Sequence, residues 1–329
     1  MNQYLRTFVA VVILWVTAMI APTTASIAND LLSAPLPKLE HLLYQRARFE
    51  NGVVQLAPDA ERCEAQSSSG MRQRIVEIAL RAWTAFGQAS LDLSAAPRAV
   101  PSFPRPEAPR PTSDDGPRRL AMIAGFWAVA RFGFAHIDQQ NRRWILSSQD
   151  LWRDHWSAAF TSWVMCEAGL DKAQFLRSVV HRGYIQHALS DERSAFSFMP
   201  TNAQPFPGDL ICAAEDRRPT GAFGPDKLDN LAGRLHCYVV ISNGRATTIV
   251  IGGNVIDWSK APSEEYGSVG LLVIEKASIA ARGSSTSCAD NKPCWLLGLR
   301  LKDNQTVSYA DIPLTLEART LLNGEESQP

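Results

Sequence analysis

The chain lacks an excess of charge of either sign. Its 329 residues contain 33 Lys and Arg and 33 Asp and Glu, so the formal net charge is zero. Such a chain has no overall electrostatic footprint for nucleic acid and none for an anionic membrane, although local basic patches remain possible. No internal repeat is apparent. With 46% hydrophobic and 20% charged residues, the composition is that of an ordinary globular protein with one large domain or two small ones.

Recognised metal-binding spacings are missing as well. The chain has six cysteines but no CxxC pair, and it has no HExxH sequence. His155, His181 and His236 could together supply the three imidazoles of a catalytic zinc site, but no ligand spacing supports that grouping. We therefore expect no metal and no other cofactor, and a metal-dependent hydrolase is the weakest of the functions considered.

The long apolar run is confined to the amino terminus. Arg6 precedes a run from Phe8 to Ile20, Pro22 ends it, and small residues follow. These features predict a cleaved signal peptide at residues 1–28. The run is shorter than the roughly 20 apolar residues that a membrane-spanning helix needs. We expect a periplasmic or secreted protein with no stable membrane insertion after cleavage.

Export would permit disulfides. Six cysteines allow 15 complete pairings, and spacing cannot choose among them. The single pair that we favour is Cys288–Cys294, which would close a short polar loop. Cys166, Cys212 and Cys237 lie in apolar segments, so we expect them in the core or in disulfides.

The remainder of the chain divides into three parts. Residues 29–70 predict a loosely structured lead-in that ends in a Ser-Ser-Ser-Gly joint. Residues 71–303 predict one domain with a proline-rich insertion at about 95–117, which cannot form a helix or a central strand. Residues 304–329 predict a C-terminal tail.

Within the domain, helical periodicity comes first and β patterns follow. The predicted helices are at about 71–86, 118–131, 156–168 and 172–189, and the third ends at Gly169. The clearest β signal is Asn243-Gly244 between two apolar runs, which is typical of a hairpin with a type I′ turn. The other predicted strands are 209–212, 269–275 and 295–302. This order predicts an α+β fold with helices packed on an antiparallel sheet.

Three short motifs occur in order along this domain. They are Trp-Ser-Ala-Ala-Phe at 156–160, Pro-Gly-Asp-Leu-Ile-Cys at 207–212 and Gly-Gly-Asn at 252–254, with His236 before the third. Together they resemble the CHAP and NlpC-type amidase/peptidase superfamily, whose pattern is Trp-Cys-Ala-x-Phe, Pro-Gly-Asp, a strand histidine and a polar residue on the next strand. The chain resembles more closely the exported bacterial domain-of-unknown-function family 2272, in which the three motifs occur together.

The resemblance implies a papain-like α+β fold and the hydrolysis of cell-wall peptides or related amides. It also implies His236 as general base, with Asn254 or Asp257 orienting its ring. Ser157 stands where the cysteine enzymes carry their nucleophile. A thiol at a helix N-terminus ionises near neutral pH beside an imidazole, whereas a hydroxyl does not. Ser157 would need His236 as a base during attack, and backbone N–H groups at the helix start as an oxyanion hole.

A structural explanation exists for each of these residues. Ser157 could be a helix cap or a small packing residue, and His236 a sheet-edge histidine. Two hypotheses therefore remain. The first is a cell-wall amide or peptide hydrolase with the catalytic residues Ser157, His236 and Asn254. The second is a catalytically inactive periplasmic domain of the same fold that binds a wall peptide or scaffolds a partner protein.

Other polar and aromatic residues near the motifs have weaker assignments. Trp156, His181 and Tyr184 are the candidate substrate-binding residues, and a packing role explains each of them at least as well. We expect Asp209, in the Pro-Gly-Asp motif, to hydrogen-bond backbone groups in a structural role.

Overall fold

The computed structural model describes residues 46–63, 70–94, 116–146, 154–214, 235–256, 267–280, 282, 294–309, 319 and 322. All of these residues belong to a single compact unit. The predicted signal peptide, nearly all of the proline-rich insertion and most of the predicted tail lie outside the described residues.

The described part of the chain contains six helices and nine strands. The helices are α1 (Met71–Ala85), α2 (Gly116–Val129), α3 (Gly133–Leu146), α4 (Ser157–Glu167), α5 (His181–Ser190) and α6 (Lys276–Ala280). The strands are β1 (Ala47–Glu50), β2 (Val53–Leu56), β3 (Ser90–Asp92), β4 (Phe196–Met199), β5 (Leu210–Ala214), β6 (Leu235–Asn243), β7 (Thr247–Ile256), β8 (Gly267–Glu275) and β9 (Cys294–Leu301).

Seven strands form one mixed sheet in the order β3-β8-β7-β6-β5-β9-β4. Neighbouring strands run antiparallel except β3 and β8, which pair in parallel. The α+β prediction is confirmed, but the prediction of a wholly antiparallel sheet is wrong at this edge. β3 has only three residues, and so short a segment carries no alternation from which a strand can be predicted.

The central strands bury both of their faces. On β6, Cys237, Val239 and Ile241 face a cluster that includes the buried residues of α1, α2, α4 and α5. The alternate residues Tyr238 and Val240 face a smaller cluster that includes a residue of α6. This alternation follows from the two-residue period of a strand. The sheet is therefore a central layer, and α4 lies against one face of it.

The predicted β6–β7 hairpin is confirmed, but its turn differs from the prediction. Asn243 pairs with Thr248, and the N–H of Gly244 donates to the carbonyl of Thr247 at 3.0 Å. The connection is therefore longer than the two residues of a type I′ turn.

A two-residue Asn-Gly connection occurs instead between β1 and β2, within the segment predicted to be a loose lead-in. Glu50 pairs with Val53, and both turn residues have positive φ, 54° at Asn51 and 82° at Gly52. Positive φ at both positions is what a type I′ turn requires. This hairpin contacts α2, so part of the lead-in belongs to the folded domain.

Helix α4 closely matches its prediction. Its C-terminal end has Gly169 at φ 89°, with the N–H of Gly169 donating to Cys166 and the N–H of Leu170 donating to Met165. These two bonds form a Schellman motif, which requires the left-handed conformation that glycine adopts without strain.

Helix α5 is much shorter than predicted, because residues 172–180 are not helical. The hydroxyl of Ser162 accepts the N–H of Ser178 at 2.9 Å and donates to its carbonyl at 2.9 Å, which holds this segment against α4. Val180 is extended, with φ −128° and ψ 134°, and His181 becomes the first residue of the helix. Helix α3 was not predicted, because only Gly133, Ile137 and Gln140 of it are buried and this stripe is too narrow to detect.

Two disulfides lie within the described residues, Cys63–Cys166 and Cys212–Cys237. The second joins residues that pair directly across β5 and β6. Cys294 is also disulfide-bonded, while Cys288, its favoured partner, lies outside the described residues.

A buried ion pair fixes the start of β5. Asp209 accepts hydrogen bonds from Arg72 Nη1 at 2.9 Å, from the N–H of Phe206 at 2.8 Å and from the N–H of Leu301 at 3.1 Å. Arg300 Nε lies 3.1 Å from its second oxygen. The structural role predicted for Asp209 is confirmed, since one carboxylate connects α1, a turn and the end of β9.

We predict that Asp209→Ala lowers the free energy of unfolding by about 3–5 kcal/mol, because it leaves Arg72 as a buried charge without its partner. The control is Asp138→Ala, which removes an exposed pair with Arg142 and should change stability by less than about 0.5 kcal/mol. Urea denaturation with the disulfides intact measures both values. Similar losses in the two variants would contradict this account of the Asp209 contacts.

Candidate active site

Ser157 is the first residue of α4, a helix whose residues are buried from Ser157 to Cys166. Trp156 precedes it at the cap position, and no side chain caps this end. The first N–H with a partner inside the helix is that of Phe160, which donates to the carbonyl of Trp156 at 2.9 Å. The N–H groups of the first turn therefore have no carbonyl of the helix to bond, as at any helix start.

The hydroxyl of Ser157 lies 2.7 Å from Nε2 of His181. Nδ1 of the same ring is hydrogen-bonded to the hydroxyl of Tyr184, one helical turn further along α5. Residues three apart lie on the same helix face, so Tyr184 supports the ring from behind. When Ser157 donates to Nε2, Nδ1 carries the proton and donates to Tyr184.

These bonds belong to a closed chain of buried polar groups. Tyr184 is hydrogen-bonded to Thr161, and the hydroxyl of Thr161 lies 3.3 Å from the carbonyl of Ser157. Ser157, His181, Tyr184 and Thr161 therefore satisfy one another across the α4–α5 contact. Such a chain fixes both the tautomer and the orientation of the imidazole.

His181 is held neutral. Burial lowers its pKa well below the usual value, and the neighbouring His236 and His155 lower it further. Burial also raises the pKa of Tyr184, so its hydroxyl keeps its proton. A neutral imidazole has the free lone pair that a general base requires.

His236, on β6, does not form the expected hydrogen bond with Ser157, since the Ser157 hydroxyl is bonded to His181 instead. Nε2 of His236 instead donates to the carbonyl of Gly253 at 2.9 Å. Its ring centre lies 5.2 Å from that of His181. Burial lowers the pKa of His236 to about 4, although the Gly253 carbonyl opposes this shift. Within the described residues Nδ1 of His236 has no hydrogen-bond partner.

The Gly-Gly-Asn motif is an irregularity in β7. The pairing of β7 with β8 shifts register between Gly252 and Val255. A Cβ on Gly253 would lie 2.4 Å from Cβ of Phe160, so only glycine lets the strand approach α4 this closely. The bulge directs the Gly253 carbonyl toward His236.

Asn254 has φ 59°, a left-handed conformation that asparagine tolerates better than most residues. Its Nδ2 lies 3.3 Å from Nδ1 of His155. The structure therefore directs this amide to His155, whereas the sequence predicts that it orients His236. Asp257, the alternative orienting residue, lies outside the described residues.

The three predicted substrate-binding residues are all buried. Trp156 is 1% exposed and packs against Phe86 and Phe126, so its indole ring is part of the core. Tyr184 is fully buried behind His181. His181 lies closest to the chemistry, since it bonds Ser157 directly. All three side chains lie in the interior beside α4, whose residues are buried from Ser157 to Cys166.

Sequence reasoning did not place His181 beside Ser157. The helix predicted at 172–189 puts His181 in its middle rather than at its start. The available signal was Val179-Val180, because two β-branched residues disfavour a continuous helix through this point. A helix that begins after them has His181 at its first position and Tyr184 one turn later.

A family model described as an uncharacterized protein conserved in bacteria (DUF2272) matches residues 126–301, more than half of the chain. The chain belongs to this family. The matched region of this family member contains Ser157, His181, His236 and Asn254, whereas α1 precedes it. Searches of the curated proteins and of the solved structures found no match.

In the described part of this family member, no group of three or more His, Cys, Asp or Glu residues is arranged to hold a metal ion. None of the helices described is both long and apolar enough to cross a membrane.

We predict that acid destabilises the fold through its buried histidines. Between the ordinary histidine pKa of 6.5 and the folded-state pKa of His236, about 4, the unfolded chain binds protons that the folded chain does not. This contribution is fully present above about pH 6.5 and is lost as the pH falls, at up to about 1.4 kcal/mol per pH unit for each histidine.

Urea denaturation between pH 7.5 and pH 4.5 measures this slope. His236→Gln removes one titrating group and should flatten the slope below pH 6.5 while leaving the slope above pH 7 unchanged. The same acid slope in the variant and in the native protein would show that His236 does not titrate as described.

Proposed function

We propose that the protein is an amide or peptide hydrolase in which Ser157 is the nucleophile and His181 is the general base. The observation that carries the proposal is the 2.7 Å separation between Ser157 Oγ and His181 Nε2. A hydroxyl needs a base within hydrogen-bonding distance, and the base needs a third group to orient it. Tyr184 is that third group.

The geometry supports acyl transfer in two steps, the acylation of Ser157 and the hydrolysis of the resulting ester. Ser157 Oγ attacks the substrate carbonyl while its proton moves to His181 Nε2. The oxygen that becomes negative is stabilised by N–H groups of the first turn of α4. The C–N bond then breaks, and His181 returns its proton to the departing amine. Water attacks the resulting ester with His181 again as base, which frees the acid and restores Ser157.

Tyr184 lowers the catalytic rate that we expect of this hydrolase. A carboxylate in its position would stabilise the imidazolium ion, whereas a phenol that keeps its proton provides only a neutral acceptor. Burial already disfavours the charged form of His181. We therefore expect slow turnover, as in a specialised hydrolase with a narrow range of substrates.

The proposed substrate is a peptide or related amide of the cell wall, and the proposed location is the periplasm or the exterior. The substrate class rests on the CHAP and NlpC-type pattern formed by Ser157, the Pro-Gly-Asp turn, His236 and Asn254. A helix bearing Ser157 against a sheet bearing His236 is the arrangement expected of that papain-like superfamily. The location rests on the apolar run at residues 8–20.

A second function is supported by burial. Ser157 is 5% exposed, His181 6% and His236 3%. Together with the closed chain of hydrogen bonds, this favours a purely structural polar cluster in a binding or scaffolding domain. The two functions differ in one property, because only a hydrolase has a Ser157 hydroxyl that reacts.

We predict that Ser157→Ala lowers the release of peptide fragments from purified cell-wall material by about 10³-fold or more. His181→Gln should lower it by about 10²–10⁴-fold, the usual contribution of a general base. His236→Gln should cost less than His181→Gln, because His181 bonds the nucleophile. The reverse order would assign the base to His236.

The matched control is Ser268→Ala, which removes a buried serine hydroxyl on β8 whose hydrogen bond among the described residues goes to the Val269 carbonyl. A fluorophosphonate probe, detected by peptide mass spectrometry, measures the reactivity of Ser157 without a known substrate. The probe should label the native protein and Ser268→Ala but not Ser157→Ala. An absence of labelling, with equal product from every variant, would exclude the hydrolase and leave the scaffolding function.

We predict that activity persists into mild acid. Because the pKa of His181 lies well below its usual value, the base stays unprotonated as the pH falls from 7 through 6. The measured kcat/KM should therefore stay level over this range and decrease only at lower pH, where His181 is protonated. Circular dichroism at each pH shows that the protein remains folded. A decrease centred on the ordinary histidine pKa of about 6.5 would contradict this account of His181.

A further inference from the structure

We propose that the Cys63–Cys166 disulfide is a redox site, which a dithiol reductant opens because two arginine side chains stabilise the thiolates that form. The disulfide joins the segment after β2 to α4. Nη1 of Arg177 contacts Sγ of Cys63 and lies 3.4 Å from Sγ of Cys166. Nη2 of Arg46 lies 3.8 Å from Sγ of Cys166.

Arg177 is the more important of the two cations. It is buried, at 6% exposure, and among the described residues it forms no ion pair. Burial and the neighbouring Arg46 lower its pKa, while Glu61 and Asp171 act in the opposite direction. A buried charge without a paired anion is costly, and a thiolate formed on reduction would supply that anion.

Arg46 has a partner already. Its guanidinium bonds Glu167 at 2.7 Å and 2.9 Å, so its charge is largely balanced in the oxidised state. Its contribution to a thiolate at Cys166 is therefore smaller than that of Arg177.

The two sulfurs differ in their access to solvent. Cys166 is completely buried, whereas Cys63 is half-buried. A thiolate of the dithiol attacks Sγ of Cys63, the S–S bond breaks, and Cys166 leaves as a thiolate beside Arg177. The second thiol of the reductant loses its proton and displaces Cys63 from the mixed disulfide. The protein gains two electrons and the reductant becomes a disulfide. Leaving groups of low pKa depart faster, and cationic neighbours lower a thiol pKa.

The chain contains an internal comparison, the Cys212–Cys237 disulfide. Both of its cysteines are completely buried between apolar strands. Among the residues that the structure describes, arginine hydrogen bonds to sulfur occur at Cys63–Cys166 and not at Cys212–Cys237, so the stabilisation of thiolates by arginine applies to the first pair. Cys166 lies in α4, the helix that begins at Ser157. Reduction of Cys63–Cys166 releases this helix from the segment after β2, so the redox state of the disulfide can affect the Ser157 site.

The experiment equilibrates the full-length oxidised protein with mixtures of reduced and oxidised dithiothreitol at pH 7, approached from both directions. Acid quenching, alkylation and peptide mass spectrometry then report each disulfide separately. We expect Cys63–Cys166 to be half-reduced at a ratio of reduced to oxidised reagent about tenfold lower than Cys212–Cys237, or lower still. Equal ratios for the two pairs would overturn the proposal.

The decisive variant is Arg177→Gln, which removes the charge while the exposure of Cys63 stays the same. It should raise the half-reduction ratio of Cys63–Cys166 by about tenfold and leave Cys212–Cys237 unchanged, and Arg177→Lys should recover part of the difference. If Arg177→Gln does not fold, Arg46→Gln should show a smaller increase of the same sign. No increase in the variant that folds would overturn the proposal. The readout needs no catalytic activity, so it is independent of the proposed hydrolase function.

Discussion

The burial of α4 from Ser157 to Cys166 is the constraint on which the chemistry of this protein depends. A helix that starts inside the core buries unbonded N–H groups and a hydroxyl, and buried polar groups need hydrogen-bond partners. Ser157 finds His181, and Tyr184 and Thr161 complete the chain of bonds. The close approach of β7 at Gly253 closes the other side of the helix start. The hydrogen bond between Ser157 and His181 therefore follows from the packing of α5 against the buried start of α4.

The same burial sets the protonation state of the two histidines. The pKa values of His181 and His236 are both lowered, because burial disfavours the charged form of each imidazole. For a hydrolase, neutrality makes His181 a competent base but makes its protonated intermediate costly. For a scaffold, neutrality is simply the least costly state of a buried imidazole. One electrostatic environment therefore serves both functions, and only the reactivity of Ser157 separates them.

Covalent and ionic contacts hold the elements around this site. The Cys212–Cys237 disulfide fixes β5 against β6, and the Asp209 contacts fix the start of β5 against α1. All three residues are completely buried. The Cys63–Cys166 disulfide fixes the opposite end of α4, where Arg177, which forms no ion pair within the described part of the chain, contacts the two sulfurs. The Cys212–Cys237 disulfide and the Asp209 contacts therefore have a structural role. Under the redox proposal, the Cys63–Cys166 disulfide makes the anchoring of α4 dependent on dithiol reductants.

Local patterns in the sequence were sufficient for the α+β class, for α4 with its glycine cap, for the β6–β7 hairpin and for the structural role of Asp209. Each of these depends on contacts between near neighbours or on a short motif. Three features depended on the tertiary structure: the parallel pairing of β3, the start of α5 at His181 and the partner of Ser157. Each of them is decided by contacts between segments far apart in sequence. The hydroxyl of Ser162 holds Ser178 in a non-helical segment, which moves the start of α5 to His181. The sequence by itself determined that Ser157 lies at the start of a helix, and only the packing of α5 against α4 brought the His181 imidazole to its hydroxyl.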